Sequence, residues 1–574
     1  MQQASAVMAI PDWIVIGLFF VALVGIIVWV SRMKQNNAAD YFLGGKDATW
    51  IAIGASIFAS NIGSEHLIGL AGSGASSGMA MAHWEIQGWM ILILGWVFVP
   101  FYSRSMVYTM PEFLEKRFNK SSRTILATIS LISYVLTKVA VTVYAGGLVF
   151  QQVFGIDEIW GIDFFWIAAV GLVLITALYT VFGGMKSVLY TSVLQTPILL
   201  LGSLIILVLG LKELGGWDEM MRICDAVKVN EYGDSMTNLI RSNSDADFPW
   251  LGALIGSAVI GFWYWCTDQF IVQRVLSGKD ERQSRRGTIF GAYLKLLPVF
   301  LFLIPGMIAY ALHVKYIGQG GEGFLPVLAN GNLNTDAAFP TLVAKLLPAG
   351  VKGLIVCGIL AALMSSLASL FNSSAALFTI DFYQRYKPDT DPKKLVRIGQ
   401  IATVVIVVLG ILWIPVMRSV GDVLYLYLQD VQSVLAPGIA AAFLIGILWK
   451  RASAQGGMWA LLSGLIIGLT RLGAKIYYSN AALLPDESSD LFRYVFYDCN
   501  WLFFCGWMLV FCLAVGVIVS LCTKAPAPEK IQGLVFGTST PAQRAETRAS
   551  WNGWDIFHTV VILGITVAFY IYFW

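Results

Sequence analysis

Apolar runs of about twenty residues recur along the whole chain, separated by short polar or charged connections, and a helix of that length crosses a bilayer. The pattern predicts fourteen membrane helices, at 12–31, 48–71, 78–104, 122–152, 160–182, 188–212, 249–273, 287–315, 352–385, 395–417, 422–448, 455–475, 496–521 and 553–574. The fold class is therefore an all-α membrane protein. The second run is interrupted at 59–67 by Ala-Ser-Asn-Ile-Gly-Ser-Glu-His-Leu. A carboxylate and an imidazole at membrane depth cost on the order of several kcal/mol unless partnered. Gly63 with Ser60, Asn61 and Ser64 predicts that the helix unwinds here, so that freed carbonyls can hold a cation. The alternative is an intact helix whose polar stripe packs on its neighbours.

Composition agrees: 57% of the 574 residues are hydrophobic and only 13% charged, which excludes a globular domain on a single anchor. The seven cysteines have no metal-ligand spacing and read as small hydrophobes, with no disulfide framework and no metal cluster. The first residues lack a basic segment ahead of an apolar run already long enough to span, so no cleavable signal peptide is expected. Positive charge alternates between connections. It is carried by Arg32, Lys34 and Lys46, by Lys116, Arg117 and Lys120, by Arg274 to Arg286, by Arg385 to Arg397, and by Lys450 and Arg451. The opposite connections are neutral at 72–77 and acidic at Asp157, Glu158 and 213–248. The positive-inside rule then predicts a multi-pass cell-membrane protein with both termini outside. The long connections 213–248 and 315–351 would be its outer structure, and 524–549, with three prolines, a cytoplasmic linker.

Further polar residues break the apolar pattern. Glu85, in Ala-His-Trp-Glu-Ile-Gln-Gly, sits beside Trp84 and Gln87. A carboxylate that accepts from hydroxyls next to an aromatic face suits a sugar, with a buried structural carboxylate as the alternative. Lys295 lies about 12 Å into its helix at 1.5 Å per residue, a depth compatible with snorkelling or with facing the interior. Lys138 lies deeper and is expected to neutralise a buried acid such as Glu65. Gly-Phe-Trp-Tyr-Trp-Cys-Thr-Asp-Gln at 261–269 joins four aromatics to Asp268, and Gln429, Asp430 and Gln432 form a similar polar island. Ser365 and Ser366 are adjacent hydroxyls. They serve helix packing alone, or a hard-cation site if they face an unwound helix.

Several long segments, in order, resemble the solute:sodium symporter family and within it the sodium/glucose cotransporter group. They are Phe-Ala-Ser-Asn-Ile-Gly-Ser-Glu-His at 58–66, Ala-Leu-Tyr-Thr-Val-Phe-Gly-Gly-Met-Lys-Ser at 177–187, Trp-Tyr-Trp-Cys-Thr-Asp-Gln-Phe-Ile-Val-Gln-Arg at 263–274, Ala-Tyr-Leu-Lys-Leu-Leu-Pro at 292–298, and Leu-Met-Ser-Ser-Leu-Ala-Ser-Leu-Phe-Asn-Ser at 363–373. The resemblance implies a LeuT-type core of two inverted five-helix repeats, over 48–212 and 249–448, with flanking helices at 12–31 and 455–574. It implies alternating access driven by sodium, the co-transported ion. Carried over by residue, sodium would meet carbonyls of Ala59, Ile62 and Ala362 and hydroxyls of Ser365 and Ser366. The sugar would meet Asn61, His66, Glu85, Trp265, Lys295 and Gln429, with Tyr264 stacked beneath it as inner gate. Leu70, Trp84 and Tyr425 would form the outer gate.

The departures from the family pattern also carry expectations. Members with a second sodium have Asp where this chain has Ser192 and Thr where it has Ala368, so one Na⁺ per sugar is expected. Gly261 and Gly88 replace polar residues and are expected to widen the pocket. Glu65 is expected on the cytoplasmic side of the break, paired with Lys138 or Arg274. The function expected from these residues is a sodium-coupled monosaccharide symporter, for glucose or galactose first. The alternatives are the same fold acting on myo-inositol, a carboxylate or an amino acid, or a non-transporting sensor. Glu85 disfavours an anion, which it would repel. An enzyme would need paired catalytic acids or a metal cluster, and the scattered histidines supply neither. We expect a monomer in the lipid bilayer whose partner is a small sugar and not nucleic acid.

Overall fold

The structure is a computed structural model that describes residues 8–33, 35–63, 65–328, 331–420, 424–479 and 491–574. The described chain is mostly helical, with irregular connections and one short antiparallel ribbon, Glu158–Ile159 against Ile162–Asp163. Among the described residues twelve helical stretches are long and apolar enough to cross a membrane, and Trp50–Asn61 is a shorter apolar helix. Two of the twelve, Glu65–Ser105 and Phe164–Leu214, would be about 60 and about 75 Å long if straight, twice the hydrocarbon thickness. Neither is straight. The first turns at Gly78 and the second at Gly184, with φ of +68° and +53°, a backbone region open to glycine. The turn at Gly184 falls where the apolar pattern predicts the boundary between 160–182 and 188–212.

The principal helices are α1 (Ile10–Ser31), α2 (Trp50–Asn61), α3 (Ala71–Ser77), α4 (Phe164–Leu214), α5 (Trp250–Gly261), α6 (Gln269–Leu276), α7 (Glu281–Lys295), α8 (Ile304–Gly318), α9 (Val351–Ala376), α10 (Leu424–Leu448), α11 (Ala454–Ser479), α12 (Trp501–Cys522) and α13 (Gly553–Tyr572). At the centre is α9, packed by α4, α1 and α2, while α7 lies along α2. A peripheral group is formed by α10, α11 and α12, and α13 lies against α7. The outermost helices behave as lipid-facing surfaces. On α1 Trp13, Ile14, Leu18, Val21 and Val24 are exposed, while Ile16, Phe19 and Leu23 are buried. In water such an apolar face would be anomalous, and in a bilayer it is the expected solvent contact.

Small residues set the closest crossing. A Cβ on Gly74 would run into the backbone carbonyl of Leu303, and one on Gly306 into that of Ala71. The two backbones therefore meet with nothing between them, the close approach that small residues allow in a membrane. This crossing holds α3 against α8 and fixes the second half of the broken second span relative to the rest of the bundle.

Candidate functional site

The expected interruption in the second span is real. The last residues of α2 are Ser60 and Asn61, whose side chains compete for backbone hydrogen bonds, and Ile62 is extended, with φ −83° and ψ 115°. Ile62 N–H closes the last helical bond on Phe58 O at 3.1 Å, and bonding resumes with His66 N–H to Gly63 O, also 3.1 Å. A π-helical turn, Glu65–Leu70, then leads into α3. The carbonyls of the last turn of α2 are thus left without a continuing helix.

A second break, not anticipated from the sequence, lies across from it. A π-helical turn, Phe262–Thr267, follows α5, and the chain then becomes extended at Asp268, with ψ 128°. Asp268 caps α6 by accepting the N–H of Phe270 at 3.3 Å. Its carboxylate also accepts the Tyr134 hydroxyl and pairs with Lys138 Nζ at 2.6 Å. The Lys138 ammonium is surrounded by the rings of Tyr134, Trp263, Tyr264 and Phe270 at 4.9 to 5.1 Å, a cation–π cage. Lys138 does neutralise a buried acid, and the acid is Asp268.

Glu65 is therefore not paired as expected. Asp268, freed at its own helix break, occupies Lys138, and Arg274 Nε donates to Ser60 Oγ at 3.0 Å. The Glu65 carboxylate instead folds over Gly63, where a side chain would otherwise stand, and lies 3.8 Å from His66 Nδ1. It lines the central cavity.

Seven of the expected sugar and gate residues line that cavity between the two breaks: Asn61, His66, Trp84, Glu85, Tyr264, Trp265 and Lys295. The side chains of Gln429 and Tyr425 lie outside the described residues. Leu70 is fully buried and is not part of the wall. Lys295 faces inward, with Nζ 2.6 Å from Glu85 Oε2 and 3.0 Å from Asn61 Oδ1. Asn61 Nδ2 donates to the Tyr264 hydroxyl at 3.2 Å. Gly63 N–H donates to His66 Nδ1 at 3.4 Å, which leaves the ring proton on Nε2, 3.5 Å from Glu85 Oε2. Carboxylate, ammonium, carboxamide, imidazole and phenol thus form one chain along the wall. The Lys295 ammonium also sits 5.3 Å from the Trp265 ring.

The pocket is not widened at the two glycines. The space above Gly261 is filled by the Gln87 amide, 2.5 Å from an added Cβ, and that above Gly88 by the Ala292 carbonyl at 2.8 Å and by Leu296. Trp84, expected at the outer gate, is stacked on Trp501 at 5.5 Å and 21°. Trp501 starts α12, a helix expected only to flank the core. Trp501 is what sequence reading missed, because it stands on a helix expected only to flank the core; Gln87 drew notice beside Glu85, but its contact over Gly261 could not be read from the chain.

The helices that carry most of the expected cation residues, α2 and α9, pack on each other and on α4. Ala59, Ile62, Ala362, Ser365 and Ser366 are all buried. Ser60 Oγ meets Ser369 Oγ at 2.6 Å, and Ser365 Oγ lies 3.3 Å from Ser192 Oγ, itself 3.4 Å from Ser56 Oγ. Ser366 lines the cavity, so the hydroxyl pair on α9 faces both the serine cluster and the cavity.

The Lys138–Asp268 pair gives a direct stability prediction. Removing one partner of a buried pair leaves an uncompensated charge and costs about 3–5 kcal/mol. Lys138→Met is expected to lower the melting temperature in detergent markedly, and Asp268→Asn added to it to restore much of the loss. Equal melting of wild type and Lys138→Met would remove the pair as a support of the break.

Comparison with known proteins identifies the family and the fold. The family model described as the sodium:solute symporter family matches residues 41–464. Sodium/myo-inositol cotransporter 2 of Homo sapiens is 37% identical over 542 residues, covering 92% of this chain and 79% of the relative. The sodium/myo-inositol cotransporter of Canis lupus familiaris is 37% identical over 556 residues, covering 92% and 76%. The solved structure of a Na⁺-coupled sialic acid symporter, in a substrate-bound outward-open state, superimposes with TM-score 0.70 at 23% identity over 90% of this chain and 99% of that one. Such a likeness shows the fold, the LeuT type with broken helices around a central site. The chain belongs to the sodium:solute symporter family and is a sodium-coupled solute symporter built on that fold.

Proposed function

We propose that this symporter imports a ring polyol of the myo-inositol class. The observation that carries the reading is the wall from Glu85 through Lys295 to Asn61, with contacts of 2.6 and 3.0 Å. Such a wall supplies acceptors and donors in alternation and shares the cavity with Tyr264 and Trp265. Alternating acceptors and donors suit a ring that carries a hydroxyl on every carbon, and aromatic faces suit its C–H surface. The myo-inositol cotransporters among the relatives favour this class over glucose and galactose, the sugars the residues suggested first. Glu85 disfavours an anionic solute, which it would repel.

Sodium is assigned to the carbonyls of Ala59, Ile62 and Ala362 and the hydroxyls of Ser365 and Ser366, all neutral oxygens suited to a monovalent hard cation. Ordering the released end of α2 around the ion presents Asn61 and His66 to the solute. Each ligand then lowers the cost of binding the other, and the coupling is reciprocal. The repeats are assigned to 48–212 and 249–448, and the unit to a monomer in the cell membrane with both termini outside. With Ser192 and Ala368 in place of Asp and Thr, one Na⁺ accompanies each solute.

The test is uptake into proteoliposomes of labelled myo-inositol, glucose, galactose and a carboxylate, with and without a sodium gradient. Saturable sodium-dependent uptake favouring myo-inositol is expected, with a sodium-to-solute flux ratio near one. Preference for a hexose would return the reading to a sugar carrier, and a ratio near two would end the single-ion assignment.

A further inference from the structure

We infer that Gln87 is a substrate-recognition residue, holding a locked carboxamide against two adjacent hydroxyls of the transported ring. The inference rests on the ring-polyol reading and adds a subsite to it. Gln87 is buried, lines the central cavity, and lies directly over Gly261. Two neighbours fix which way its amide faces. Nε2–H donates to the Ser257 carbonyl at 2.8 Å, and Oε1 accepts the Trp265 indole N–H at 3.2 Å. A flipped amide would set carbonyl against carbonyl and N–H against N–H, so only one orientation satisfies both partners.

A carboxamide has two N–H donors and two acceptor lone pairs. One of each is used by Ser257 and Trp265, leaving one donor and one acceptor side by side at the cavity wall. That pair matches a vicinal diol, in which one hydroxyl accepts and its neighbour donates. The absence of a side chain at Gly261 makes this arrangement possible, because a Cβ there would stand 2.5 Å from Gln87 Oε1 and 2.9 Å from its Cδ. The space beside Gly261 on α5 is thus filled from a different segment, the turn that carries Gln87. The indole N–H of Trp265 is taken up in aiming the amide, which makes Trp265 a positioning residue here.

The experiment compares wild type, Gln87→Ala, Gly261→Ala and the double variant in proteoliposomes. It uses myo-inositol and a series of deoxy-inositols each lacking one hydroxyl. Radiosodium binding in the absence of solute reports that each variant is folded. Gln87→Ala is expected to raise the KM for myo-inositol about tenfold, the effect of one lost buried hydrogen-bonding group. Gly261→Ala is expected to do the same by displacing the amide, and the double variant to be no worse than either, the mark of a shared interaction. Two adjacent deoxy positions are expected to weaken uptake by wild type but not by Gln87→Ala. An unchanged KM in Gln87→Ala, or additive losses in the double variant, would overturn the inference while leaving the polyol reading intact. Wild type that takes up no inositol would overturn both.

Discussion

Replacing Ser365 and Ser366 together with alanine is expected to abolish sodium-dependent uptake while leaving the bundle folded. The proposed site holds its ion with neutral oxygens only, and two of them are these hydroxyls. A hydrogen-bond-strength contact to a charged group contributes about 1.5–3 kcal/mol. Losing two raises the half-saturating sodium concentration by about a hundredfold or more. The fold should tolerate the change, because Ser192, the neighbour of Ser365, keeps its hydrogen bond to Val188 O at 2.6 Å. The measurement is uptake against sodium concentration, alongside sodium-free counterflow as a control for an intact solute site. Unchanged sodium dependence would refute the assignment.

Lys295→Met is expected to reduce uptake by more than a hundredfold and to destabilise the protein at the same time. The lysine is buried, with side-chain exposure of 3% against 2% for its partner Glu85, so solvent cannot take over the stranded charge. Breaking such a pair costs about 3–5 kcal/mol. The informative variant is Glu85→Gln with Lys295→Met, which removes both charges. Its thermal stability is expected to return close to wild type while uptake stays lost, because the wall no longer carries the charged donor and acceptor that meet the solute. Recovery of uptake along with stability would make the pair a structural brace and nothing more.

These two sites were legible to different degrees. Ser365, Ser366 and the interruption at 59–67 stand out in the chain because hydroxyls, a glycine and ionisable groups are conspicuous in an apolar run. The unwinding at Ile62 follows from the same local chemistry, so the sequence predicts it. The partner of Lys138 was not legible. Glu65 and Asp268 both lie within reach along the sequence pattern, and only the position of the second break decides which carboxylate meets the ammonium. Gly261 shows the limit more sharply. From the chain alone a glycine in place of a polar residue reads as empty space, yet a neighbouring turn fills it with the Gln87 amide. Trp501 likewise carries no signal on a flanking helix until its ring is found stacked on Trp84.

By itself the sequence determined the membrane class, the helical build, the sodium-coupled family and, of the cavity wall, Asn61, His66, Trp84, Glu85, Tyr264, Trp265 and Lys295. The class and the build rest on local pattern, the length of the apolar runs and residue types too costly to bury without use. The family and the roles of the wall residues rest on the resemblance of several long segments in order. The tertiary structure alone decided which polar groups pair, which glycines are filled, and which helix supplies each wall of the site. Those outcomes depend on side chains far apart in the chain competing for the same few ångströms in a medium that offers no water to satisfy the loser. A buried charge there takes the nearest partner in space, and sequence separation has no bearing on the choice.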